Sequence, residues 1–297
     1  MEKDPSRVAE SYVEAVRQEV ASLDTTLNVL GLIASDDTPS LSYARATRQK
    51  FTEVGINYDL QTVERLALED AILAANADPA IHGIFIYFPV FHNEHDSYLR
   101  NLVDYRKDIE AGSMYWVRKL YANDRFAIDG DTTRKALLPC TPLAIIKMLT
   151  SVGVYADDVE RPVDGKVVTI FNRSEVNGRP LAVMMSNDGA TVYSFDINGP
   201  LRFENAKPFE TSITRAEALA ESDIVITGVP SRSFEKIRPA EVRRNTVCVN
   251  FSSLPNFERE IESHTDIYIP KVGPMTVAMC MRNTLRLYHN FHADAAS

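Results

Sequence analysis

The chain has 297 residues, 45% hydrophobic and 25% charged, and its 12 glycines and 15 prolines are too few for collagen-like or low-complexity sequence. With 41 acidic against 32 basic residues the net charge is −9, which argues against a nucleic-acid partner, since that needs a basic face. No run approaches the roughly 18 uninterrupted apolar residues of a membrane helix, and Cys140, Cys248 and Cys280 are too few for a disulfide scaffold, so a reducing, cytoplasmic setting is expected.

The opening stretch MEKDPSRVAESYVEAVRQEV lacks an apolar signal core, and Val8, Tyr12, Val16, Val20 and Leu23 step by three and four, which predicts an amphipathic helix. LNVLGLIA (27–34) reads as a buried strand ended by Ser35-Asp36-Asp37. A helix over 39–54, a strand over 56–63, a helix over 65–77 and a strand over 83–89 follow, the alternation of a parallel sheet covered by helices. Residues 90–140 are irregular, charged and aromatic, and are expected to form a functional face. In Pro139-Cys140-Thr141-Pro142 a new helix starts, with Thr141 as cap and Pro142 at the first helical position. A second series comprises strand 166–171, helix 177–188, strand 191–195, helix 214–221 and strands 223–229 and 246–251. A last helix over 275–292 is apolar on one side. At about 150 residues per domain, the expected division is residues 1–150, completed by a C-terminal helix from 275, and residues 151–274.

The second series reads as a nucleotide-binding half. Strand 166–171 runs through Asn172-Arg173-Ser174-Glu175-Val176-Asn177-Gly178 into a helix, where backbone N–H groups and a helix N-terminus can meet a phosphate. The G-x-G-x-x-G pattern is absent. Asp196 ends the next strand, a little over 20 residues on, where a carboxylate can accept from a ribose 2′-hydroxyl and would repel a 2′-phosphate, favouring NAD over NADP. Arg173 pulls the other way, because a guanidinium can pair with a phosphate. Thr227-Gly228-Val229-Pro230 closes a strand at the same expected edge. Cys140 precedes a helix N-terminus, where the dipole can depress a thiol pKa, and it reads as a cleft-lining residue with a catalytic thiol as the alternative. His92-Asn93-Glu94-His95-Asp96 lacks the spacing of a zinc site and reads as a solvated loop.

PCTPLAII (139–146), FNRSEVNGRPLA (171–182), DGATVYS (188–194), DIVITGVP (223–230) and VGPMTVAM (272–279) together resemble the methylenetetrahydrofolate dehydrogenase/cyclohydrolase family, in order and spacing over nearly the whole chain. YFPVF (87–91) and FNRSE (171–175) are most like its fungal, monofunctional NAD-dependent branch. The resemblance implies two α/β domains flanking a cleft, an N-terminal parallel-sheet domain and a Rossmann-type NAD-binding domain, with the last helix returning to the first. It also implies a homodimer in one-carbon metabolism and purine biosynthesis.

Position by position, it implies a folate site with Tyr43 as a catalytic and substrate-binding residue, Cys140 beside the nicotinamide, and Thr47, Tyr87, Glu110 and Pro274 against the substrate. NAD would be held by Thr141, Arg173, Ser174, Asp196, Ile197, Thr227, Gly228, Val229, Pro230 and Thr276. Three family positions have changed. Thr47 stands where the family has lysine, Tyr87 where it has glutamine, and Glu110 where it has aspartate.

The changes have a chemical reading. Oxidising 5,10-methylenetetrahydrofolate removes a hydride and needs positioning and electrostatics, whereas hydrolysing the methenyl product needs a placed acid–base group. Losing the lysine should remove the cyclohydrolase step and spare the dehydrogenase step. Lys50, seven residues after Tyr43 and so on the same helix face but about 10 Å further along the axis, is the counter-candidate. The alternatives are a bifunctional enzyme with a substitute for the lysine, and a non-catalytic NAD- or folate-binding regulator.

Overall fold

A computed structural model describes residues 4–156 and 159–293. It divides into two compact units, one formed by Glu10–Cys140 with the chain from Val277 onward, the other by Thr141–Thr276 with the chain up to Ala9.

The first unit is built on a three-stranded parallel sheet, β1 (Asn28–Ile33), β2 (Asn57–Thr62) and β3 (Gly83–Ile86), in the order β2-β1-β3. β1 is central and buried from Val29 to Ile33, as its continuous apolar run requires. Helix α1 (Pro5–Ala21) precedes it, α2 (Thr38–Glu53) joins β1 to β2, and α3 (Leu68–Ala77), entered through a 3₁₀ turn at Arg65–Ala67, joins β2 to β3. Asp37 caps α2 by accepting from the Ser40 N–H at 2.9 Å. Leu30, Leu32, Leu68, Ile72, Ile84 and Leu99 form the core between sheet and helices. The stretch expected to be irregular contains α4 (Glu94–Leu102) and α5 (Met114–Tyr121).

The other unit carries a seven-stranded sheet. Helix α6 (Cys140–Ser151) leads to β4 (Val167–Phe171), α7 (Gly178–Asn187), β5 (Thr191–Asp196), the hairpin β6 (Gly199–Glu204) and β7 (Lys207–Glu210), then α8 (Arg215–Glu221) and β8 (Ile224–Thr227). β9 (Val247–Asn250), α9 (Ile261–His264) and β10 (Ile267–Ile269) complete it, in the order β10-β9-β8-β4-β5-β6-β7. All pairings are parallel except those of the hairpin. Helix α10 (Gly273–Leu287) begins here and continues into the three-stranded unit from Val277. Among the described residues no helix is long and apolar enough to cross a membrane.

Several expectations need correction. The division falls at Cys140/Thr141, ahead of the boundary expected at 150. Helix α6 already includes Cys140, so Thr141 sits in its first turn rather than capping it; Pro142 remains tolerable there because first-turn N–H groups lack helical partners anyway. The hairpin β6–β7 was not expected. Its two-residue turn, Asn205-Ala206, has positive φ at both positions (46° and 64°), and Ala206 lacks the glycine signal of such turns. Strand β10 was missed because only three residues pair.

Candidate active site

In the three-stranded unit, the residues singled out from sequence converge. Tyr43 and Thr47 lie one turn apart on α2, and Tyr87 follows β3. The Tyr43 and Tyr87 rings meet edge to face, with centroids 6.0 Å apart. Thr47 is 1% exposed and its hydroxyl lies beside both phenols, yet Oγ1 meets no partner with hydrogen-bond geometry. Burial raises the Tyr43 phenol pKa and pushes that of Tyr87 up to about 12.

Tyr87 has a partner that the sequence did not suggest. The Tyr58 hydroxyl, from β2, lies 2.7 Å from that of Tyr87 in a buried pair. Tyr58 reaches it across β1 because residue 31 is glycine: a Cβ at Gly31 would stand 2.5 Å from the Tyr58 ring. A glycine inside an otherwise bulky strand was the available signal.

Glu110 follows a segment tied to the sheet. Ile84 donates its N–H to the Lys107 carbonyl at 2.7 Å, so residues 107–108 run as one more rung beside β3. The Lys107 ammonium is buried and donates to the carbonyls of Ala75, Asn76 and Asp78, closing the end of α3. Asp108 accepts from the Ser113 N–H at 2.7 Å. Burial, and next to it the neighbouring Asp108, push the partly buried Glu110 up to about 8, so its acid form is favoured at neutral pH; Arg100 opposes the shift.

Cys140 does not behave as the helix dipole suggested. Its thiol is buried, donates to the Ile109 carbonyl at 3.4 Å and accepts from Asn283 Nδ2 at 3.3 Å. Burial raises its pKa well above the usual thiol range, with Cys280, Glu110 and Asp108 adding to it, so it is not a ready thiolate. Asn283 also donates to the carbonyls of Ile109 and Leu138 at 2.9 and 3.0 Å, pinning the backbone on both sides of the site. A fully buried Asn in an apolar helix is the kind of signal that sequence alone cannot separate from a surface polar residue.

Two further expectations resolve. Lys50 is exposed and paired with Glu53 at 2.7 Å, so it stays a surface residue. The stretch expected to be a solvated loop instead opens α4, and Asp96 is buried, accepting from the N–H groups of Val90, Phe91 and His92 at 3.2, 2.8 and 3.0 Å. Buried backbone donors need such a partner, which a loop in water would not supply. Among the described residues no metal-binding cluster occurs.

In the seven-stranded unit the C-terminal ends of β5, β4 and β8 lie side by side. Phe171 is in register with both Phe195 and Thr227, so the turn after β4, Asp196 and Gly228 share one sheet edge. The chain leaves β4 towards β5 and later returns to β8 on its other side, the topological switch point at which open α/β sheets bind ligands. Asn172 organises this edge. Its Oδ1 accepts from Ser174 N (3.0 Å), Ser174 Oγ (2.7 Å) and Gly178 N (3.2 Å), while Nδ2 donates to the Gly228 carbonyl at 2.8 Å. A Cβ at Gly178 would lie 1.9 Å from the Asn172 carbonyl oxygen, so only glycine lets α7 begin so close to the turn.

Arg173 and Asp196, set in opposition by the sequence argument, are bonded to each other. Arg173 Nη2 pairs with Asp196 Oδ1 at 2.7 Å and also donates to the Gly199 carbonyl, while its buried Nε has no partner. Asp196 Oδ1 additionally accepts from Asn198 N at 2.7 Å. Ile197 is fully exposed beside them. Thr227 is buried and its hydroxyl donates to Asn250 at 3.2 Å, so its side chain faces the interior rather than the edge. The Val229 N–H donates to Asn256 at 2.8 Å, and Pro230 is exposed at the tip. Thr141, Pro274 and Thr276 occupy the first turns of α6 and α10, in this unit.

Comparison with known proteins fits both halves. Residues 4–110 match the tetrahydrofolate dehydrogenase/cyclohydrolase catalytic domain, and residues 139–292 match the NAD(P)-binding domain of the same proteins. The chain belongs to the tetrahydrofolate dehydrogenase/cyclohydrolase family.

Within this family the chain is 40% identical over 296 residues to a Dictyostelium discoideum protein named methylenetetrahydrofolate dehydrogenase [NAD(+)], covering 97% of this chain and 94% of that one. It is 36% identical to the Saccharomyces cerevisiae protein of the same name, covering 96% and 95%. The solved structure of the yeast NAD-dependent 5,10-methylenetetrahydrofolate dehydrogenase superposes with a TM-score of 0.91 at 34% identity, covering 99% of this chain and 98% of that one. A bifunctional family member from Campylobacter jejuni shares the fold, with a TM-score of 0.78 at 21% identity and coverage of 98% and 99%. Thr47, Tyr87 and Glu110 all lie in the three-stranded unit, and Arg173 and Ser174 open the turn after β4 in the other. The built turn, the close approach at Gly178 and the Asp196 carboxylate fit a dinucleotide.

Proposed function

We propose that the protein oxidises 5,10-methylenetetrahydrofolate to 5,10-methenyltetrahydrofolate with NAD and lacks cyclohydrolase activity. The observation that carries this reading is the site around Thr47: where the family has a lysine, a buried hydroxyl sits among phenols, and the nearest lysine on that helix face is paired at the surface. NAD supplies the hydride acceptor when bound. Asp196 would accept from the ribose 2′-hydroxyl and Ile197 would cover the adenine, while Arg173, Ser174 and the 228–230 turn would hold the remainder, with Thr141 and Thr276 towards the nicotinamide.

On the folate side, Glu110 would accept the paired N–H donors of the pterin, losing its own proton as it does so, and Tyr43 and Tyr87 would orient the ring system. As hydride leaves, the substrate becomes a cation, which an ionised Glu110 would stabilise. Attack of water on that cation needs a positioned acid–base group. Phenols held above their ordinary pKa by burial and an inert Cys140 thiol do not provide one at neutral pH, and Glu110, which does titrate there, would be engaged by the pterin. We further propose a cytoplasmic homodimer, to be tested by fractionation and by light scattering.

The decisive experiment is initial-rate spectrophotometry with NAD and NADP in parallel, following reduced cofactor and methenyl product. Turnover with NAD and accumulating methenyl product is the expected result. Methenyl product consumed faster than its uncatalysed hydrolysis would revive the bifunctional reading. No turnover from a folded sample would favour a binding protein.

A further inference from the structure

The buried Tyr58–Tyr87 hydroxyl pair has a direction. Tyr58 is 5% exposed and, among the described residues, its hydroxyl meets no partner other than Tyr87. A buried hydroxyl proton needs an acceptor, so Tyr58 donates to Tyr87. The Tyr87 proton is thereby turned away, towards the Ala44 carbonyl at 3.5 Å, the limit of a hydrogen bond and easily exchanged for a better acceptor. The Tyr58 ring itself is fixed by Phe51, at 5.0 Å between centroids, and by the space over Gly31. Tyr87 is held from its other side by Phe85, at 4.8 Å.

We propose that Tyr58 is a positioning residue for the folate site: by donating its proton to Tyr87 it fixes that phenol as a one-way donor towards an acceptor atom of the bound folate. The proposal rests on Tyr87 facing substrate, as in the function proposed above. Tyr58 touches neither substrate nor cofactor, and acts through a single oxygen. Gly31 belongs to the same device, because any side chain there displaces the Tyr58 ring.

The test is Tyr58→Phe, which keeps the ring and removes one hydroxyl, beside Tyr87→Phe and the double variant. Tyr58→Phe is expected to raise KM for 5,10-methylenetetrahydrofolate about 5- to 10-fold, in line with the loss of one buried hydrogen bond. KM for NAD and kcat should stay within about twofold, a split that general destabilisation would not produce. The double variant should be no worse than the weaker-binding single, because the two hydroxyls act as one unit. Gly31→Ala, which displaces Tyr58 by another route, should reproduce the folate KM increase.

An unchanged folate KM in Tyr58→Phe, or effects that multiply in the double variant, would overturn the proposal. A second readout is independent of activity: the ring-carbon NMR signal of Tyr87 should shift in Tyr58→Phe, and an unmoved signal overturns the hydroxyl pair. If the parent protein does not turn over folate at all, the proposed function and the substrate-facing role of this pair fail together. A shifted Tyr87 signal would then leave only the hydrogen bond itself supported.

Discussion

The two units handle polarity in opposite ways. In the three-stranded unit the functional candidates are held in their neutral forms: Tyr58, Tyr87 and Cys140 are buried, Glu110 is partly buried and Tyr43 is 44% exposed, and all five have raised pKa values, with desolvation the leading cause. In the seven-stranded unit the corresponding groups are charged and compensated at a sheet edge, with Arg173 against Asp196 and Asn172 knitting backbone donors together. The contrast suits the two halves of the proposed reaction. A site whose substrate becomes cationic at the reacting atoms gains from neutral groups and an ionisable carboxyl around them, whereas a dinucleotide needs oriented donors and acceptors at a helix start.

The sharpest way to break this comparison is Gly178→Ala. A Cβ there must displace backbone at 1.9 Å, so a loss of roughly 3–5 kcal/mol in stability and NAD affinity weakened more than about tenfold are expected. Denaturant unfolding and fluorescence titration with NAD would measure these, and near-parent values would mean the turn is not the rigid element described.

Asp196→Ser should release Arg173 from its ion pair and shift the NADP-to-NAD preference by about 10- to 100-fold, the scale of a charge-assisted hydrogen bond of about 1.5–3 kcal/mol. Unchanged discrimination in paired kcat/KM measurements would show that selectivity lies elsewhere on the edge. Asp96→Ala leaves three N–H donors, one buried and two partly buried, without their acceptor and should cost about 1–3 kcal/mol, read as a fall of several degrees in Tm.

The effect at Glu110 vanishes near pH 4 and grows with pH, and it sharpens the neutral side of the comparison. Its folded pKa is about 8 against an ordinary 4.5, so the folded state retains a proton that the unfolded chain releases. Stability from this group is therefore full below about pH 4.5 and is lost as pH rises towards 8. Glu110→Gln should match the parent in Tm near pH 4 and exceed it by a growing margin up to pH 8. A constant difference across that range would refute the buried acid. For the parent, folate binding at pH 7 should release a proton and tighten as pH rises to about 8, measurable by calorimetry in buffers of different ionisation enthalpy.

Much of this was legible in the chain. Alternating apolar runs and helical periods located the main strands and helices, because a strand buried on both faces and an amphipathic helix leave unmistakable patterns, as β1 and α1 do. Short motifs marked the turn after β4, Asp196 and the candidate positions Thr47, Tyr87 and Glu110, since those depend on local residue order. The hairpin β6–β7 and the short β10 were not legible, because neither has a strong local signal.

Tertiary structure alone decided how the marked residues act. It turned Arg173 and Asp196 from rivals into partners, buried Thr227 away from the edge, raised the Cys140 thiol instead of activating it, and drew Asp96 out of a presumed loop. It also revealed Tyr58, Asn172 and Asn283, whose roles rest on partners far away in the chain. The physical reason is common to all of them. Periodicity records which face of an element is buried, but hydrogen bonding and desolvation depend on which atoms meet there, and only the folded chain brings those atoms together.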